Sequence, residues 1–243
     1  MLLAKNIEAV DLAVFLKKQR TLVFGDLHLG YEGNLNKKGI FIPRFAMQDL
    51  QSRLELILKK TRPEKIIING DVKHEFGRIS DDEWRWTLRI LDLLKKVSQR
   101  LVIIKGNHDL VIGPIAEKRN VEMMNHIILD DTLILHGDVF DKKFFKDHPK
   151  IKTVIIGHEH PAISLSDNGR SEKFKCFLVG TIKIGVRKMC LIVTPSVQQF
   201  TDGTDIVREE RLSPFLQGNL NNFNCYVVGK NEILRFGKLK NLK

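Results

Sequence analysis

The stretch "LVIIKGNHD", Leu101 to Asp109, decides the fold. A short run rich in Val, Ile and Leu reads as a buried strand, and a glycine with metal-type polar residues follows it at once. The same arrangement recurs in "TLVFGD" (Thr21 to Asp26), "KIIINGD" (Lys65 to Asp71), "TLILHGD" (Thr132 to Asp138) and "TVIIGHEH" (Thr153 to His160). Two amphipathic helices are predicted between the first three of these strands. "PRFAMQDLQSRLELILKK" sets Phe45, Leu50, Leu54, Ile57 and Leu58 largely on one face. "SDDEWRWTLRILDLLKKV" opens with Ser80 and Glu83 at capping-box spacing and carries Trp84, Leu88, Leu91 and Leu94. Strand and helix in alternation predict an α/β chain built on a βαβ-type sheet.

After His160 the pattern changes. "FKCFLVGTIKIG" and "KMCLIVTPS" read as strands with no long helix between them, which predicts a second, more antiparallel sheet. A loop, "QQFTDGTDI", and the stretch "LSPFLQGNLNNFN" lead to "CYVVGKNEILRF", which reads as a hairpin with its turn at Gly229 to Asn231. No change in composition marks a second unit. Residues 1–243 are therefore read as one domain, with 201–243 a loop and hairpin extension packed on the core.

With 43% hydrophobic and 28% charged residues, the chain has the composition of a globular protein rather than a disordered one. Its net charge of +11 favours acidic partners such as nucleic acid or phosphorylated substrates. Three widely spaced cysteines, Cys176, Cys190 and Cys225, form no CxxC pair, which argues against a disulfide framework or a thiolate zinc site. Lys5, Glu8 and Asp11 interrupt the first apolar stretch, so it is a poor signal peptide, and no run is long enough to span a bilayer. A cytoplasmic protein with no membrane partner is expected.

Five of the eight histidines fall just after predicted strands: His28, His108, His136, His158 and His160. Asp26, Asp71 and Asn107 stand at equivalent points. Ligands of open α/β sheets bind beyond the carboxyl ends of the strands, so these eight residues are expected to converge on one crevice. Carboxylates, an amide oxygen and imidazoles without a thiolate fit manganese, iron or zinc better than calcium. Two cations roughly 3.5–4 Å apart require a bridging carboxylate, and Asp71 is the natural bridge.

In this order, "GDLH", "NGD", "GNHD", "LHGD" and "GHEH" resemble the signature of the calcineurin-like metallophosphoesterases. The resemblance implies a four-layer α/β/β/α sandwich, two mixed sheets flanked by helices, with a dimetal site at one edge. It implies that Asp26, His28 and His160 hold one ion, that Asn107, His136 and His158 hold the other, and that Asp71 bridges them. His108 would be the acid–base residue or phosphate contact, positioned by Asp109. Two divalent ions are expected, manganese first, with iron, zinc or nickel as alternatives. The implied reaction is phosphoester hydrolysis by a hydroxide bridging the two ions.

"DLHLGYE", "GDVKHEFG" and "TPSVQQFTDGTD" are similar to the small archaeal SbcD-related phosphoesterases and to bacterial DNA-ligase-associated phosphodiesterases. That similarity implies a phosphodiesterase acting on DNA or nucleotides; a phosphomonoesterase or protein phosphatase on the same metals is the alternative, and a non-catalytic scaffold a third. The larger SbcD-type nucleases grip DNA with a capping domain, whereas about forty residues follow "PSVQQF" here. A homodimer or a DNA-repair partner is the expected source of that surface. His74 is expected either to contact substrate at the mouth of the site or to hold its loop. Arg44 is expected either to reach a substrate phosphate or to pack at a helix start, and Glu75 to fix its loop by hydrogen bonding.

Overall fold

The computed structural model describes every residue except 38, 40–45, 168–169, 199, 231 and 243. Its first sheet follows chain order: β1 (Leu2–Ala4), β2 (Ile7–Val10), β3 (Ala13–Leu16), β4 (Thr21–Phe24), β5 (Lys65–Asn69), β6 (Arg100–Ile104) and β7 (Glu122–Met124). The first four strands run antiparallel to one another, and β4 to β7 are parallel. Antiparallel neighbours need only tight turns, and Asn6 and Asp11 supply them with φ of 62° and 55°. The parallel strands need crossovers, which contain the helices α1 (Tyr31–Lys37), α2 (Ala46–Thr61), α3 (Asp81–Val97) and α4 (Gly113–Lys118). Phe45 and Arg44 lie outside the described residues.

The second sheet comprises β8 (His126–Leu129), β9 (Thr132–Leu135), β10 (Thr153–Ile156), β11 (Pro161–Asp167), β12 (Arg170–Ile184), β13 (Arg187–Val193), β14 (Thr204–Asp205), β15 (Asn224–Val228) and β16 (Ile233–Lys238). Its order is β14-β11-β12-β13-β10-β9-β8. β15 pairs with β12 and then with β16, so the C-terminal hairpin is part of this sheet. Strand β12 is long enough, at 15 residues, to pair with β11 along its first half and β13 along its second.

Burial on both sheet faces explains the unbroken apolar runs. Ile66 and Ile68 of β5 pack outward with Leu50, Leu54, Leu91 and Leu94 of α2 and α3, while Ile67 points the other way. There it meets Val23 and Ile104 of its own sheet and Ile134, Ile155, Phe177 and Ile192 of the second. The outer face of the second sheet is covered by α5 (Lys142–Asp147) and a 3-10 turn at Pro214–Leu216, through Phe145, Phe215 and Leu216. The architecture is thus a sandwich of two mixed sheets between flanking helices, with the second outer layer thin. No described helix is long and apolar enough to cross a membrane. His126 and His148, both half-buried, each set a ring against Phe144.

Candidate metal centre

Loops leaving β4, β5, β6, β9 and β10 meet at one end of the sandwich and carry the eight residues that the strand-end pattern singles out. Backbone bonds lock them together. Asp26 N–H donates to the Gly70 carbonyl and His28 N–H to that of Asp71, both at 2.9 Å. His108 N–H donates to Asp71 Oδ1 at 3.0 Å, and His158 N–H to Asp26 Oδ1 at 3.3 Å. Asp26, His28, Asp71, His158 and His160 all have φ between 41° and 63°. Those five are almost half of the 11 non-glycine residues with positive φ among the described residues. Left-handed backbone is costly for L-residues with side chains, so the surrounding bonds impose it, and it turns each side chain inward.

Two groups of ligand atoms result, each lying within a 4.8 Å span. One is Asp26, His28, Asp71 and His160; the other is Asp71, His136 and His158. Asp71 belongs to both. Its Oδ2 is 3.7 Å from His28 Nε2 and 3.4 Å from His136 Nε2. His160 Nε2 is 3.2 Å from Asp26 Oδ1, and Asn107 Oδ1 is 3.1 Å from His136 Nε2. His136 Nδ1 is 3.1 Å from the Asn69 carbonyl oxygen, a contact that leaves Nε2 turned toward Asp71.

The electrostatics are those of a site built for positive charge. Burial pulls the His136 imidazole down, but the Asp71 hydrogen bond and the charges of Asp26 and Asp71 push it up to about 10. Burial also works against the Asp71 carboxylate, yet the His136 hydrogen bond and the charges of His136 and His28 hold it well below the usual range. His28 is held down to about 3, first by burial and then by the charge of His160. Asp26 Oδ2 is buried and has no hydrogen-bond partner. A carboxylate oxygen left this way is costly unless a cation faces it. The donor set, its shared carboxylate and the orphaned oxygen therefore fit a pair of divalent ions.

The histidine proposed for acid–base work is held differently from expectation. Asp109 does not orient the His108 ring. Its carboxylate accepts from the backbone N–H of Gly106 and Val72, each at 3.0 Å, because those two loops need a buried acceptor where they meet. His108 Nδ1 instead lies 2.5 Å from the carbonyl of His74, and its Nε2 is 3.9 Å from Asp71 Oδ2. His74 sits beside the centre. Its Nδ1 is 3.4 Å from His28 Nδ1, its ring meets Tyr31 at 4.7 Å, and His28, His74 and His108 form a third close group. Glu75 accepts from Arg78 at 2.5 Å, and its carbonyl accepts from the buried Lys73 ammonium.

Several supporting residues carry no signal in strand-end spacing. The fully buried Glu83 closes the capping box of α3, and its Oε1 accepts from the N–H groups of His74 and Glu75 at 3.0 and 2.7 Å. Ser196 Oγ donates to the Asp26 carbonyl at 2.7 Å. Gln198 Nε2 donates to the carbonyls of Leu27 and His28 at 3.3 and 3.4 Å. Lys175 reaches across from β12 to the carbonyls of Ser196 and Gln198. Glu159, inside "GHEH", accepts from the N–H groups of Leu212 and Ser213 at 2.9 and 2.8 Å.

Residues 19–176 match the family model described as "Calcineurin-like phosphoesterase". The chain belongs to the calcineurin-like phosphoesterase family. Members are divalent-metal hydrolases of phosphoesters, in keeping with the Asp and His cluster at the strand ends. No curated protein sequence matches this phosphoesterase. Among solved structures it is similar to the nuclease MPE of Pseudomonas putida, at 19% identity and a TM-score of 0.59, over 92% of this chain and 91% of that one. It is also similar to Yfce, a phosphoesterase from E. coli, at 12% identity and a TM-score of 0.40, over 90% of this chain and 98% of that one. Vacuolar Protein Sorting 29 from Cryptosporidium Parvum is 15% identical with a TM-score of 0.42, over 90% and 97% of the two chains.

Proposed function

We propose that this chain is a dinuclear, manganese-type phosphodiesterase that hydrolyses phosphodiesters of nucleic acids or nucleotides. The observation that carries the reading is the position of Asp71 Oδ2 between His28 of one ligand group and His136 of the other. Asp26, His28, Asp71 and His160 would hold one ion, and Asp71, Asn107, His136 and His158 the second. Oxygen and imidazole donors without a thiolate support manganese. Bound ions supply Lewis-acid charge for the phosphate oxygens and lower the pKa of water.

The protein's own residues do the rest. His108, with Nδ1 engaged by the His74 carbonyl, presents Nε2 to the centre, where it holds a proton for the leaving oxygen. Asp109 keeps the loop of His108 and Asn107 against that of Val72, so the acid and the ligands share one rigid frame. His74 lines the mouth and contacts the substrate. A fold shared with a bacterial nuclease over nearly the whole chain supports a diester substrate, and the net charge of +11 supports an acidic one.

The test compares bis-p-nitrophenyl phosphate with p-nitrophenyl phosphate in the presence of manganese. The diester is expected to turn over faster. Faster cleavage of the monoester overturns the diesterase reading and leaves the metal centre intact.

A further inference from the structure

Ten large apolar side chains are exposed among the described residues. Three of them stand on loops of the metal centre, and a fourth is bonded to one. Phe76 is two residues past His74, Leu110 adjoins Asp109, Val139 is three residues past His136, and Leu212 donates its N–H to Glu159. Scattered apolar residues on a surface are ordinary, but four on or against the loops of one polar site mark a place where something apolar is received.

Phe76 is the most informative. Its ring centroid lies 3.8 Å from that of His108, tilted by 33°, yet the residue is 58% exposed. The ring rests on the imidazole and leaves much of its surface to solvent. A buried Phe would report packing, and an exposed one away from the site would report nothing. Here an open aromatic surface is fixed against the side chain assigned to the leaving oxygen. Any planar group bonded to that oxygen through a sugar arrives within reach of it. The neighbouring Arg78 is tied to Glu75 at 2.5 Å, so the wall offers a ring rather than an uncommitted cation.

We propose that Phe76 is a specificity residue, a stacking platform for the nucleobase on the leaving-group side of the scissile phosphate, with Leu110 flanking it. The proposal rests on the phosphodiesterase reading and adds the chemical class of the leaving group. Stacking uses the π-face of the ring and is indifferent to base identity, so the preference is for a base over none.

The experiment uses dinucleotides carrying 2-aminopurine on one or the other side of the phosphate, with chelator-treated protein so that hydrolysis does not compete. Quenching of 2-aminopurine fluorescence is expected with the wild type and Phe76→Trp, for one of the two isomers. It is expected to vanish in Phe76→Leu, which keeps apolar bulk without a π-face. In the manganese enzyme, Phe76→Leu should raise KM for the dinucleotide about tenfold, the loss of one base–aromatic stack, and leave kcat nearly unchanged. Equal quenching by wild type and Phe76→Leu, or equal KM for dinucleotides with and without the leaving-side base, overturns the platform. A wild type that turns over no diester, bis-p-nitrophenyl phosphate included, overturns the phosphodiesterase reading instead.

Discussion

Oδ2 of Asp71 stands 3.4 Å from Nε2 of His136, although the two residues follow strands of different sheets. The shared carboxylate makes a sharp prediction when set beside His74. Asp71→Ala is expected to lose both ions, since each group of ligands loses a member and a buried imidazole loses its counter-charge. His74→Ala is expected to keep both ions and lose activity. Elemental analysis of the purified variants decides; loss of an ion from His74→Ala would make His74 a ligand.

Gly70 is packed against the same imidazole. With φ of 83°, a Cβ built on it would lie 2.1 Å from His136 Nδ1. Gly70→Ala therefore combines left-handed strain with a clash that cannot relax away from a buried ring. A loss of about 2–4 kcal/mol is expected in urea unfolding, together with weakened ion binding. An unchanged midpoint would show that the ring has room to move.

Glu83 is predicted to act at a distance from the metals. Its two oxygens accept from the N–H groups of His74, Glu75 and Ser80 and from the Ser80 hydroxyl. Glu83→Gln puts an N–H group where a donor already points, and should cost roughly 2–3 kcal/mol. Because His108 leans on the His74 carbonyl, kcat should fall while ion content matches that of the wild type. Loss of stability without loss of kcat would confine Glu83 to capping.

Lys175 gives the pH dependence. Burial, and then the charge of Arg53, hold its ammonium at about 7 against the pull of Asp26 and Asp202. Its folded pKa thus lies below its unfolded one. Between about pH 7 and 10.5 the unfolded chain binds more protons, so this residue makes stability rise with pH across that window and holds it at its minimum below. A rise of up to about 5 kcal/mol is expected in denaturant titrations, and Lys175→Met should flatten it. An equal slope in both proteins would assign the dependence elsewhere.

The convergence of the Asp, Asn and His residues was legible because each stands directly after a buried strand, where residue type and chain position coincide. The two sheets and the capping box at Ser80 were legible for similar local reasons. The β1–β3 meander was not, because Lys5, Glu8 and Asp11 break its apolar pattern, although Asn6 and Asp11 are turn residues that could have signalled it. The resemblance has Asp109 position His108, but its oxygens accept from backbone N–H groups of its own loop and of the β5 loop, so it holds the loop of His108 rather than the ring. Ser196, Gln198 and Lys175 act on carbonyls 21 to 171 residues away, and no spacing rule reports such pairs.

The seam between the sheets has one more implication. Asp26, His28 and Asp71 arrive with the first sheet, and His136, His158 and His160 with the second. Each of the two ligand groups that share Asp71 draws on both sheets. An ion held by either group would fasten the two sheets like a rivet through overlapping plates. The same side chains that would carry the chemistry would thus also hold the sandwich closed at that end.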